Sequence, residues 1–101
     1  EPKNVCALLG HEQGVHQIQG IGDGFIPDIL DVSLIDRVIE VTDDDAISTT
    51  RKLASSNSLL CGTSSGANVW AARQIAMEHP EWVIATVLPD RAERYFSTGL
   101  L

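Results

Sequence analysis

A chain of 101 residues with 44% apolar and 21% charged side chains has the composition of a small folded domain, or a piece of one, and excludes a disordered or low-complexity segment. Its 14 acidic against 7 basic residues give a formal charge of −7, which repels phosphate backbones and anionic lipid, and no basic stripe relieves it. Nucleic acid is thereby excluded as a partner, and with no apolar run approaching the roughly 18 residues of a membrane span, so is the membrane.

Glu1-Pro2-Lys3-Asn4 and the five apolar residues behind it lack the length and cleavage pattern of a signal peptide, so the chain reads as cytosolic (cytoplasmic). It opens without methionine and with almost no slack before Val5, which leads us to expect the carboxyl-terminal part of something longer. Val5 to Leu9, apolar on both faces and closed by Gly10, reads as a parallel strand covered by helices. Residues 10–33 hold five glycines and Pro27, too many for a helix or long strand; a loop of that length is usually functional. Leu34 to Val41 alternates apolar and polar and predicts a second strand.

Thr42 and Asp45 then resemble a capping box, with Asp43 and Asp44 adding charge to the first turn of a helix that Asn57 ends. That acidic trio reads as a solvated cap, because consecutive carboxylates on a helix do not converge on a metal. Gly62-Thr63-Ser64-Ser65-Gly66 leads into a second helix, Ala67 to Met77, apolar enough to be buried on most sides and stopped by His79-Pro80. Trp82 to Leu88 predicts a third strand, broken by Pro89-Asp90.

The order strand, loop, strand, helix, helix, strand predicts an α/β fold: one segment over residues 1–101, a mostly parallel sheet with flanking helices. In such sheets ligands sit beyond the carboxyl ends of strands, where both Asp90 and the glycine-flanked turn belong. Cys6 and Cys61 each sit in an apolar run and read as packed, reduced thiols; no C-x-x-C or zinc spacing is present.

Taken alone, Gly62 to Gly66 is either a plain helix cap or a site for a small polar ligand, an anion by the sign of the helix dipole. Its G-x-S-x-G spacing also fits a hydrolase nucleophile elbow with Ser64 as nucleophile, which needs an acid and then a histidine downstream. Only His79 follows, about four turns along the same helix and roughly 20 Å away, so that reading fails.

Three stretches together carry more than any one of them. They are His16-Gln17-Ile18-Gln19-Gly20-Ile21-Gly22-Asp23-Gly24-Phe25-Ile26-Pro27, then Gly62-Thr63-Ser64-Ser65-Gly66-Ala67, then Leu88-Pro89-Asp90-Arg91-Ala92-Glu93-Arg94-Tyr95-Phe96-Ser97-Thr98. In this order and at these separations the chain resembles the carboxyl-terminal third of the cysteine synthase (O-acetylserine sulfhydrylase) family, pyridoxal-phosphate enzymes of the tryptophan synthase β-like fold type II. Cystathionine β-synthase is the nearest relative, but its first motif usually departs from G-I-G-x-G-F.

The resemblance implies that Ser64 hydrogen-bonds the pyridine nitrogen of pyridoxal phosphate. Gly62, Thr63, Pro89 and Asp90 would lie beside the ring, with Asp90 helping to orient Ser64. Gly20, Ile21, Gly22, Asp23, Gly24 and Phe25 would line the substrate side. Asp23 stands where alanine is common in the family, and a carboxylate there bears on substrate choice or partner docking. His16 is expected to be structural, since the family assigns proton abstraction to the cofactor lysine.

That lysine, the asparagine loop for the substrate carboxylate and the phosphate-binding loop have no match here; Lys3 and Lys52 lie in polar, solvated settings. No catalytic residue is therefore expected in this segment, which alone should be inactive. What the resemblance implies for a parent enzyme is replacement of the acetoxy group of O-acetylserine by sulfide. Cystathionine β-synthase or O-phosphoserine sulfhydrylase activity, or a non-catalytic binding or regulatory role, are the alternatives. The implied partners are the rest of the same polypeptide, a second copy in a homodimer, and serine acetyltransferase.

Overall fold

The computed structural model of the chain describes residues 1–10 and 14–92. Helix α1, Asp43–Asn57, begins where the cap chemistry places it: the Thr42 hydroxyl accepts the Asp45 N–H at 3.1 Å. It also donates to the Asp45 carboxylate at 2.9 Å, so the box closes between two side chains rather than back onto the cap's own amide. At the other end Ser58 takes the left-handed conformation (φ 56°), and the Leu59 N–H bonds back to the Leu53 carbonyl. Thr42→Ala should cost about 1 kcal/mol in chemical denaturation, with Thr42→Ser close to wild type. Equal losses in both would place the effect elsewhere than in the cap.

Helix α2 runs over Thr63–Glu78, four residues earlier than its apolar pattern predicts. Gly62 is the N-cap (φ −83°, ψ 176°), and the Gly66 N–H already bonds the Gly62 carbonyl at 3.2 Å. The glycine-flanked stretch is thus the cap and first turn of the helix rather than a turn ahead of it. Nor is the helix buried along its length: Thr63 to Ala67 are buried, whereas Met77 is 63% exposed. Only the amino-terminal end is held in the interior.

α1 and α2 pack on one another through this first turn. Thr50, 1% exposed, donates its hydroxyl to the Ala46 carbonyl at 2.8 Å and lies 3.4 Å from the Gly62 carbonyl, facing Gly66 across the contact. Ile18, Val41, Ala46 and Ala67 form the core, with Ile21 and Trp70 packed against it. Ile18, from the glycine-rich loop, is completely buried, worth about 2 kcal/mol, and ties that loop to both helices.

The predicted strands are not formed as strands among the described residues. Parallel pairing exists, but three residues ahead of the expected Val5–Leu9: Pro2 bridges Val41, with the Lys3 N–H on the Val41 carbonyl at 2.8 Å. The chain then folds into a 3-10 turn, Ala7–Leu9, which Gly10 closes in a left-handed conformation. Val5, Cys6 and Ala7 are buried as their apolarity predicts, so their environment was legible while their backbone was not.

A second 3-10 turn, Val32–Leu34, precedes the predicted strand 34–41, of which only Val41 bridges. Arg37 in this segment is paired with Glu78 at the end of α2, and its guanidinium holds that carboxyl below the usual range. Residues 82–88 form no ladder; Asn68 donates to the Val87 carbonyl at 2.9 Å, and Val83 and Val87 are exposed. A strand exists only when a neighbour pairs its N–H and C=O groups. Among the described residues no bridge to this segment is formed.

Both cysteines are free and buried, in agreement with the sequence. Burial, reinforced by a hydrogen bond to the Glu1 carboxylate, pushes the Cys6 thiol up to about 11. Burial also raises Cys61, against a partly offsetting Ser65 hydrogen bond, so neither is a ready thiolate at neutral pH. No described helix is long and apolar enough to cross a membrane.

Candidate functional site

The start of α2 is fixed by a short clasp between two distant segments. Cys61 bridges Arg91 in antiparallel fashion, the Gly62 N–H donates to the Asp90 carbonyl at 3.1 Å, and the Ala92 N–H donates to the Leu60 carbonyl at 3.1 Å. The Ser65 hydroxyl reaches the same Asp90 carbonyl at 3.5 Å. The third sequence stretch is thereby brought to the second. Asp90 is tied to the turn by its main-chain carbonyl, which accepts from Gly62 and Ser65, the two residues that flank the Thr63–Ser64 pair. Pro89 is exposed beside it, and Glu93 to Thr98 lie outside the described residues.

The first stretch closes over the same place. The Gln19 N–H donates to the Thr63 hydroxyl at 3.3 Å, and a Cβ added at Gly20 would stand 3.9 Å from Ser64 Oγ. Ile21 is half-buried on the core, and Gly22 sits at φ +72° with no room for a side chain against Pro2 and His16. Asp23 and Phe25 face solvent, with Gly24 half-buried between them at φ +83°. Of the predicted substrate-side residues, then, Gly20 faces the serine turn, Ile21 packs on the core, Gly22 lies against Pro2 and His16, and Asp23 and Phe25 are exposed.

Ser64 is 2% exposed, and its Oγ is the one buried side-chain oxygen or nitrogen without a hydrogen-bond partner among the described residues. Leaving a buried hydroxyl unpaired costs about 1–3 kcal/mol, so such an atom calls for a reason. It lies in the first turn of α2, where the leading amides have no carbonyl a turn behind them and the dipole end is positive. A hydroxyl there is complementary to a neutral ring nitrogen with a lone pair. A pyridine nitrogen has that chemistry, and a serine, whose own pKa is very high, would hold it unprotonated where an aspartate would protonate it. The residues present fit pyridoxal phosphate.

Two features of this site were not legible from the sequence: the clasp between residues 60–62 and 90–92, and the closeness of α1 to α2 at Gly66. The acidic trio occupies the first turn of α1 as a cap, with Asp45 committed to Thr42.

Comparison with known proteins shows which family the chain resembles. A profile of the family described as pyridoxal-phosphate dependent enzyme matches residues 4–90. A cysteine synthase B of Campylobacter jejuni is 52% identical over 100 residues, which are 99% of this chain and 33% of that protein. Among solved structures, a cysteine synthase of Entamoeba histolytica superimposes with a TM-score of 0.95 at 38% identity, over 99% of this chain and 30% of that one. An O-acetylserine dependent cystathionine β-synthase of Helicobacter pylori does so with a TM-score of 0.91 at 44% identity, over 99% and 33% of the two chains. The chain spans about a third of the length of the relatives it matches. These likenesses are consistent with the expected α/β class and bear out the resemblance carried by the three motif stretches: the chain belongs to the family of pyridoxal-phosphate dependent enzymes.

Proposed function

We propose that this chain is the carboxyl-terminal segment of a cysteine synthase that replaces the acetoxy group of O-acetylserine by sulfide. The observation that carries the reading is the orphaned, buried Ser64 hydroxyl between the helix start and the Gly20 loop. The cofactor, when bound, supplies the electron sink that loosens the Cα–H bond and the leaving group on the β-carbon. Ser64 donates to its ring nitrogen without protonating it, which restrains that sink and favours elimination over transamination. Gly62 and Thr63, with Pro89 and Asp90, frame the ring edge. Gly20 to Gly22 present main chain to the substrate, with Asp23, Gly24 and Phe25 at the entrance.

The reading assigns the remainder to the rest of the polypeptide: the cofactor lysine, the substrate-carboxylate and phosphate loops, and the strands that pair with residues 34–41 and 82–88 to complete a mostly parallel sheet. Residues 1–101 form one segment of the large domain, in a cytosolic homodimer able to dock serine acetyltransferase. No residue of this segment moves the proton.

Asp23 favours a second reading for the nucleophile. A carboxylate at the entrance repels hydrosulfide and attracts the ammonium of an aminothiol such as homocysteine, which would give cystathionine β-synthase activity with the same first half-reaction.

The test is the full-length gene product. It should be yellow, carry one pyridoxal phosphate per chain, and form cysteine from O-acetylserine and sulfide; a colourless, inactive protein would overturn the proposal. Asp23→Ala should raise the rate with sulfide relative to homocysteine severalfold. An unchanged ratio would remove Asp23 from nucleophile choice.

A further inference from the structure

His16 makes two hydrogen bonds whose partners fix its tautomer. The Ile18 N–H donates to Nδ1 at 3.0 Å, so Nδ1 carries no proton. Nε2 lies 3.0 Å from the Gly22 carbonyl, which can only accept, so the proton of the neutral ring is on Nε2. One imidazole therefore joins the two ends of the five-residue stretch Ile18–Gly22. Ile18 is anchored in the core with no exposure, and the apex, Gly20, is the residue facing Ser64. The ring also packs hard against the loop: a Cβ at Gly22 would stand 2.6 Å from Nε2 and 2.6 Å from Pro2 Cγ.

We propose that His16, as the Nε2–H tautomer, is the positioning residue of the substrate-side loop, holding Gly20 to Gly22 at a fixed distance from Ser64. This rests on the cysteine synthase reading for what the loop binds, though not for the geometry of the clamp. The sequence treated His16 as merely structural; the structure assigns it the job of setting where substrate-facing main chain stands relative to the cofactor serine. Ser64 itself is held by the clasp at residues 60–62 and 90–92, which does not involve His16. Loss of the clamp therefore affects the amino-acid substrate and spares the cofactor.

The experiment compares His16→Gln with His16→Asn in the full-length enzyme. The glutamine amide nitrogen stands where Nε2 does and keeps the bond to Gly22; the asparagine oxygen stands where Nδ1 does and keeps only the local bond to Ile18. With positioning, Asn raises the KM for O-acetylserine about tenfold at nearly unchanged kcat, the worth of one hydrogen bond, while Gln stays within about threefold of wild type. Cofactor content is unchanged in both. Amide hydrogen exchange of residues 18–24 in the cofactor-free protein accelerates in Asn and much less in Gln. A merely local turn role predicts the reverse, rescue by Asn and not by Gln, and overturns the proposal, as do equal losses in both or none in either. Nitrogen-15 shifts of His16 in the same protein should report a protonated Nε2 and a bare Nδ1; the opposite tautomer also overturns it. If the wild-type protein takes up no cofactor, the enzymatic reading fails while the exchange and nitrogen shifts still decide the clamp.

Discussion

Ser64→Ala is expected to stabilise the cofactor-free full-length protein by about 1 kcal/mol while weakening its hold on pyridoxal phosphate about fivefold to tenfold. The two effects have one origin. Without a ligand, the Ser64 hydroxyl is buried and unpaired, and alanine, which lacks that oxygen, removes the desolvation cost and leaves a void of only one atom. With the ligand, the same hydroxyl gains its partner, and alanine forfeits it. Thermal unfolding should show a gain in the cofactor-free form that largely disappears in the loaded form, because the weaker binding removes about as much stability as the substitution adds. A structural serine would lose stability in both forms, and a loss in the cofactor-free protein would mean that Oγ has a partner after all.

Ser64→Asp separates charge from hydrogen bonding at the same atom. In the cofactor-free protein the carboxylate is buried beside the positive end of α2, which only partly offsets its desolvation, so stability should fall. In the loaded enzyme it should hold the ring nitrogen protonated and allow transamination side products that wild type does not form. Absorbance of the loaded protein and assay of keto-acid products check this. Identical spectra and products in the two proteins would take the ring nitrogen out of Ser64's role. A stability cost with a functional return is the usual signature of a binding site, and here one oxygen atom carries both.

What the sequence made legible follows the range of the interactions involved. α1 was legible to the residue because its start is written in a local bond between Thr42 and Asp45. The start of α2 was not, because Gly62 and Gly66 read as turn residues, whereas the second is required by a helix 16 positions upstream in sequence, at Thr50. The predicted strands are unpaired among the described residues for the same reason: alternation at 34–41 and the apolar run at 82–88 report an environment, and pairing is decided by a neighbour that neither segment contains. The site was legible only through three stretches taken together, since the bonds that unite them, Gln19 to Thr63 and Gly62 to Asp90, span 44 and 28 residues. His16 illustrates the limit: its residue type was noted, but its two partners are visible only in the folded loop.

Gly66→Ala should be the most damaging single substitution in the segment, costing about 3 kcal/mol or more. Gly66 has ordinary helical geometry, and in an open helix alanine would gain about 1 kcal/mol over glycine. Here a Cβ would overlap Thr50 Oγ1 and the Ala46 carbonyl oxygen, and stand 2.9 Å from the Thr50 amide nitrogen. Thr50 could swing its hydroxyl aside only by giving up its bond to Ala46, and the backbone atoms of α1 cannot move without shifting the helix. Removing the side-chain overlap with Thr50→Ala should therefore restore less than half of the loss, because the Ala46 carbonyl remains in place. Urea unfolding of the full-length single and double variants measures both terms. A gain near the propensity value would show that the helices do not approach this closely. The consequence reaches the site directly: Gly66 is two residues from Ser64 on the same turn, so pushing α2 away from α1 carries the serine off the Gly20 loop. Gly66→Ala should then lower cofactor affinity even in molecules that remain folded, whereas Thr42→Ala, which removes only the cap side chain of α1, should lower stability alone.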